Sequence, residues 1–252
     1  MNRREFITAS ACAVAASLTR SGSASEESRP AMTKAIAFDA FVIFDFRSVF
    51  ATVRQLFPDR GDDICKTWLA RQFEYCWLRV ITRRYADFWK VTEEALAYAT
   101  KVNKVELSGA RREQIMNGYQ QLKPWPDVID GLKALRDANI RLAFLSNMTP
   151  AMLSAACKSA GVGDFFEAKI STDAIKSYKP DPAAYQLGID ALKLPKDQIV
   201  FAAFGGWDAA GAKSFGYRTY WANRLSLPVE QLDAQPDRIG GGMNELVEFV
   251  TA

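Results

Sequence analysis

From Pro126 to the C-terminus, short apolar runs alternate with helical stretches, and that alternation leaves the chain very few folds. The apolar runs are Ile140–Leu145, Ala168–Ser171, Ile199–Phe204 and Arg218–Trp221. Between and around them, Asp127–Ala138, Pro150–Ala160, a segment opening at Pro182, Ala209–Phe215 and Met243–Val250 read as helices. Gly161 and Gly216 stop two of these helices, and Asp181 caps a third with Pro182 at its first position. Strands that alternate with helices build a parallel sheet covered on both faces. The predicted class is therefore α/β.

The first strand of that sheet lies far upstream. Lys34–Asp45 reads KAIAFDAFVIFD, and its run Ala35–Phe38 is too short for a helix and ends on Asp39. A carboxylate at the C-terminal tip of a parallel strand sits in the crevice where open α/β sheets bind ligands. Asp39 equally suits a turn or a helix cap.

Between these two parts, Ser48–Phe57, Asp62–Ile81, Tyr85–Thr100 and Val105–Leu122 read as four helices with no strand, ending at Lys123-Pro124-Trp125-Pro126. An all-helical block inserted after the first strand is expected to cap the strand tips. The expected division is a core of residues 32–47 and 124–252 with a cap of residues 48–123. The stretch Asp62–Ile81 carries Ile64, Trp68, Phe73, Tyr75, Trp77 and Leu78. Apolar residues spread this widely mean more than one buried face, one toward the core and one toward a pocket or a second subunit. A homodimer is thus among the expected states.

Composition removes several chemistries. The chain has 252 residues and no histidine, which excludes histidine general bases, Ser-His-Asp triads and histidine-ligated metals. Acid and base work falls to Asp, Glu, Lys, Tyr or Cys. The net charge is +3, without a basic block interleaved with aromatics, so nucleic acid is not an expected partner. No run of 18 apolar residues is present, so no helical membrane span is expected. Cys65 and Cys76 lie about 16 Å apart along one predicted helix, too far to bridge.

Residues 1–31 are expected to be a leader rather than part of the fold. Asn2-Arg3-Arg4-Glu5-Phe6-Ile7-Thr8 resembles a twin-arginine export signal, followed by a mildly apolar core and small residues around Ala24. That predicts a periplasmic protein. If Met32 is the true start, a cytoplasmic one is expected instead.

Polar residues fall where successive strands end: Asp39, Ser146-Asn147, Lys179 and Asp208. Taken singly, Lys179 suits a solvated loop, Asp208 a helix cap and Ser146-Asn147 a turn. Taken together they form a carboxylate nucleophile, hydroxyl and amide donors, a fixed cation and a second carboxylate at one sheet edge.

In this order, Asp39 in FDAF, Ser146-Asn147 in FLSN, Lys179 in YKPDPAAY and Asp208 in GGWDAAGAKSFGY resemble the four motifs of the haloacid dehalogenase superfamily. The type II branch, the L-2-haloacid dehalogenases, is the most similar, with RQFEYCWLR and RYADFW matching its cap. The resemblance implies a Rossmann-like core and a helical cap. It implies hydrolysis of short (S)-2-haloacids to (R)-2-hydroxy acids through an ester on Asp39. Lys179 would stabilise charge, and Asp208 would position or deprotonate the water. Phe41 (through nearby backbone amides), Ser146 and Asn147 would hold substrate and halide, and Phe88, Tyr185 and Trp207 would line the pocket. No metal or other cofactor is expected, because Phe41 stands where phosphatases of the superfamily place a second Asp, and it can neither ligate Mg²⁺ nor transfer a proton.

The chain departs from this branch at several positions. The cap arginine that usually faces the halide falls on Leu69, with Arg71 about 200° away around the helix. Ala203 and Gly205 occupy usually polar positions, and Val42-Ile43 replaces a Gly-Thr pair. Two other readings therefore stay open on sequence grounds: a related hydrolase with another leaving group, phosphatases included, or a non-catalytic binder of organic acids.

Overall fold

The computed structural model describes residues 32–252, so the leader lies outside the described residues. The central sheet has six parallel strands in the order β5-β4-β1-β6-β7-β8. In chain order these are β1 (Ala35–Phe38), β4 (Arg141–Ser146), β5 (Ala168–Ser171), β6 (Ile199–Ala203), β7 (Arg218–Ala222) and β8 (Arg238–Gly240). β1 lies inside the sheet, with Phe38 opposite Phe144 on one side and Ala202 on the other. Successive side chains of a strand point to opposite faces. Ile36 and Phe38 accordingly join one apolar core with Phe144, Leu132 and Tyr220. Ala35 and Ala37 join a second with Leu145, Phe201 and Tyr185. Both faces of β1 are buried, as expected of a parallel sheet.

After β1 comes a four-residue helix, α1 (Ala40–Ile43), then a two-residue strand, β2 (Phe44–Asp45). Next are four longer helices: α2 (Arg47–Leu56), α3 (Gly61–Thr82), α4 (Phe88–Val102) and α5 (Gly109–Asn117). The chain returns through β3 (Lys123–Pro124), which pairs antiparallel with β2. The helical block therefore does contain strand, at its exit. The remaining helices are α6 (Val128–Asp137), α7 (Pro150–Ala160), α8 (Pro182–Leu192), α9 (Gly206–Phe215) and α10 (Met243–Thr251).

Several boundaries differ from expectation, and capping explains those of α4 and α5. α4 begins at Phe88 rather than Tyr85 because the Asp87 carboxylate accepts from the Lys90 N–H. α5 begins at Gly109 rather than Val105 because Ser108 caps it, accepting from the Arg111 N–H. α9 begins at Gly206 rather than Ala209, which places Trp207 and Asp208 inside its first turn. α3 and α4 pack through a buried polar contact: the Trp68 indole donates to the Thr92 carbonyl at 2.8 Å, and Gln72 Nε2 donates to Thr92 Oγ1 at 2.6 Å.

Candidate active site

Asp39 sits at the tip of β1 and also caps α1. Its N–H donates to the Ala202 carbonyl, and its Oδ2 accepts from the Phe41 N–H at 3.1 Å. The capping and strand-tip readings thus hold together, and the cap fixes where the carboxylate points. Its Oδ1 accepts from Lys179 Nζ at 2.8 Å. Lys179 is no solvated loop residue; it is 0% exposed. Its ammonium also donates to Asp208 Oδ2 at 2.7 Å. Asp208, equally buried, accepts on Oδ1 from the Tyr185 hydroxyl at 2.7 Å. One buried cation is thereby clamped between two carboxylates. Among the described residues, no group of three or more His, Cys, Asp or Glu side chains is placed to hold a metal ion.

Buried charge is tolerable only when it is paired and hydrogen-bonded. Burial alone would pull the Lys179 ammonium down, but the Asp208 and Asp39 carboxylates outweigh it and hold its pKa above the ordinary value. Burial pushes Asp208 up to about 6, with the Lys179 charge opposing the rise and Asp39 adding to it. Two carboxylates share one ammonium, so one is under-compensated, and it is the more deeply buried of the two. Burial and the facing Asp208 push the Tyr185 phenol well up, which keeps it a donor.

Asn147 holds the lysine loop. Its Oδ1 accepts from the Lys179 N–H at 2.9 Å and from Thr172 Oγ1 at 3.3 Å. Those two donors fix the amide orientation and leave Nδ2 on the cavity side. Ser146 Oγ accepts from the Met148 N–H at 3.1 Å, making the anticipated turn, and keeps its own proton to donate.

Asp39, Phe41, Ser146, Asn147, Phe88 and Trp207 all line one cavity of about 420 Å³. A larger groove of about 790 Å³ opens beside Tyr85, Trp89, Thr149 and Lys176, but none of the strand-tip residues reaches it. Two placements need correction. Tyr185 is not on the cavity wall; it lies beneath the site in the second apolar core and grips Asp208. Asp208 itself does not line the cavity either, since the Lys179 side chain stands between it and Asp39. The roof comes from α3, where Leu69, Phe73 and Trp77 recur every fourth residue on one face. The expected pocket-facing side of this helix is thus the face of Leu69, Phe73 and Trp77, and their spacing of four residues picks it out. Arg71 points elsewhere, paired with Glu74 at 2.5 Å and lying over the Tyr98 ring.

A family model, haloacid dehalogenase-like hydrolase, matches residues 30–216. The chain belongs to this family. It is 36% identical over 221 residues to the (S)-2-haloacid dehalogenase of Pseudomonas sp. (strain YL), covering 87% of this chain and 95% of that protein. It is 35% identical over 218 residues to haloacetate dehalogenase H-2 of Moraxella sp. (strain B), covering 86% and 97%. Among solved structures, the L-2-haloacid dehalogenase from Xanthobacter autotrophicus with chloropropionic acid covalently bound superposes with a TM-score of 0.81. That pair shares 33% identity over 88% of this chain and 99% of the other. The haloacid dehalogenase-like core plus helical insertion is thus shared across the whole described fold.

Proposed function

We propose that this haloacid dehalogenase-like hydrolase cleaves the carbon–halogen bond of (S)-2-haloacids and releases (R)-2-hydroxy acids. The observation that carries the reading is the Asp39 carboxylate, open to the cavity on one side and fixed by Lys179 on the other. The similarity to proteins named for this reaction, one solved with chloropropionic acid covalently bound, supports it.

In this proposal an Asp39 oxygen attacks C2 in line, the carbon–halogen bond breaks, and halide leaves with the electron pair. The oxygen facing Lys179 becomes the ester carbonyl oxygen. Water then adds to the Asp39 carbonyl carbon, and negative charge develops on that oxygen against the fixed ammonium. Collapse breaks the bond between this carbon and the substrate oxygen; one water proton ends on the released hydroxyl, the other is released to solvent, Asp39 is a carboxylate again, and C2 has been inverted once. Ser146 Oγ and Asn147 Nδ2 supply donors for the carboxylate and the halide. Asp208 works through Lys179 as a positioning residue. The ammonium fills the gap between the two carboxylates.

The test is a single turnover in heavy-oxygen water with excess enzyme and (S)-2-chloropropionate. Label is expected in the Asp39 carboxylate and not in the first product. Label in that first product would show direct attack by water. Release of phosphate from phosphomonoesters dependent on Mg²⁺, with no halide release, would favour a phosphatase instead.

A further inference from the structure

The smallest substrates leave most of this cavity empty. 2-Chloropropionate has six non-hydrogen atoms, whereas the cavity measures about 420 Å³, room for a considerably longer acid. The groups proposed to hold the acid, Asp39, Ser146 and Asn147, share one end of it. Lys66, Glu74, Asn223 and Glu230 also border the cavity, but between them and that end the wall is mostly apolar. Leu69, Phe73 and Trp77 form the roof, and Phe73 and Trp77 pack on Trp207 with ring centroids 4.9 and 5.5 Å apart.

At the mouth stand two leucines on the loop after β7. Leu225 is 39% exposed and Leu227 is 53% exposed. Their loop is fixed in place by a side-chain clamp: Asn223 Nδ2 donates to the Leu227 carbonyl at 2.8 Å, and the Leu227 N–H donates to Asn223 Oδ1 at 2.9 Å. Exposed apolar side chains on a fixed loop, continuous with an apolar cavity, mark a surface for an apolar ligand.

We infer that the site takes 2-haloacids whose C2 substituent is an apolar chain of about four carbons or more, seated between the α3 stripe and the Leu225–Leu227 loop. The acid group and C2 stay at Asp39, Ser146 and Asn147, and the chain runs toward the mouth. Leu69 belongs to this arrangement, since it extends the apolar wall where the resemblance leads one to expect an arginine. The inference rests on the dehalogenation reading above for its chemistry, but not for its shape.

Bromide release from 2-bromopropionate, 2-bromobutanoate and 2-bromohexanoate tests it. Burying each added methylene is worth about fourfold, so kcat/KM for the hexanoate, three methylenes longer, is expected to exceed that for the propionate by about 60-fold. Leu225→Ala with Leu227→Ala is expected to lower that ratio about tenfold. A ratio that is flat or falls with chain length, with bromide released from the propionate, overturns the inference and leaves the reaction standing. In parallel, hexanoate and propionate are titrated against the intrinsic tryptophan fluorescence, since Trp77 and Trp207 line the cavity. If no acid yields bromide but hexanoate binds more tightly, the pocket assignment holds and the reaction is wrong. If hexanoate binds no more tightly than propionate, the pocket assignment falls whatever the chemistry.

Discussion

At the scale of single residues, the site turns on how one ammonium is shared. The folded pKa of Asp208 lies above its unfolded value, so folding holds its proton more tightly. The stability gained that way is full below about 3.9, the unfolded value, and is lost as pH rises through about 6. Activity runs the other way, because the ionised carboxylate is what anchors Lys179. We expect kcat/KM to fall as pH drops through about 6, an apparent value belonging to the Asp39–Lys179–Asp208 cluster. The Tyr185 hydroxyl favours the ionised form of Asp208, so Tyr185→Phe should move this acid limb to higher pH. A rate profile unmoved by that change would remove Tyr185 from the machinery. Leu69 makes a second prediction. Removal of one donor that faces developing charge costs on the order of 100-fold in rate. Leu69→Arg should therefore raise turnover of 2-chloropropionate, up to about 100-fold, while weakening the preference for long chains. Lys66, which also lines the cavity, is the existing cation closest in sequence on that helix face, so Lys66→Ala should slow the wild type. If neither change alters turnover, the halide is held elsewhere. Asp39 was legible because it directly follows β1, whereas Lys179, eight residues past β5, and Asp208, inside α9, were legible only through the order of the motifs around them. Tyr185 was misplaced because a tyrosine inside an amphipathic helix carries no mark of which apolar layer it enters.

Among elements, α3 does the most. Ile64, Trp68, Gln72 and Cys76 are buried on one face, while Leu69, Phe73 and Trp77 roof the cavity on another. Its attachment to α4 depends on Thr92, whose hydroxyl accepts from Gln72 and donates to the Phe88 carbonyl. Thr92→Val keeps the shape but strands a buried amide donor, which costs about 1–3 kcal/mol. A urea midpoint lowered to that extent, with raised KM from a loosened roof, is expected; an unchanged midpoint would mean that Gln72 finds another partner. The two buried faces of this helix could be read from its wide scatter of aromatics. The long helices and the inner strands were legible from periodicity, Pro182 and the stopping glycines. β2 and β3 were not, because two residues show no period, and Pro124 argues against a strand. β8 was missed because three edge residues, Arg238 and Ile239 exposed among them, carry no buried pattern. α1 was hidden inside a continuous apolar run, where only the Asp39 side chain distinguishes helix from strand.

Across the whole molecule, cap and core are tied close to the chemistry. Tyr178, next to Lys179, stacks on Tyr85 at 5.3 Å and donates to the Ala86 carbonyl, and the Tyr85 hydroxyl donates to Asp173 at 2.6 Å. We propose, from Arg3 and Arg4 ahead of a mildly apolar stretch, that the chain is exported folded. Arg3→Lys with Arg4→Lys should then leave it in the cytoplasm, as fractionation would show; a wild type already retained there with Met32 at its N-terminus would sink that proposal. The β2–β3 pairing has a different kind of consequence. Phe44 lies opposite Pro124 and Asp45 opposite Lys123, so the path into the cap and the path out of it run side by side. A segment whose two ends already touch can grow or shrink with little added closure cost, which rises only logarithmically with length. The core would hardly register the change. Such a junction works as a socket: a longer, shorter or different roof can be seated there without moving the charged cluster of Asp39, Lys179 and Asp208.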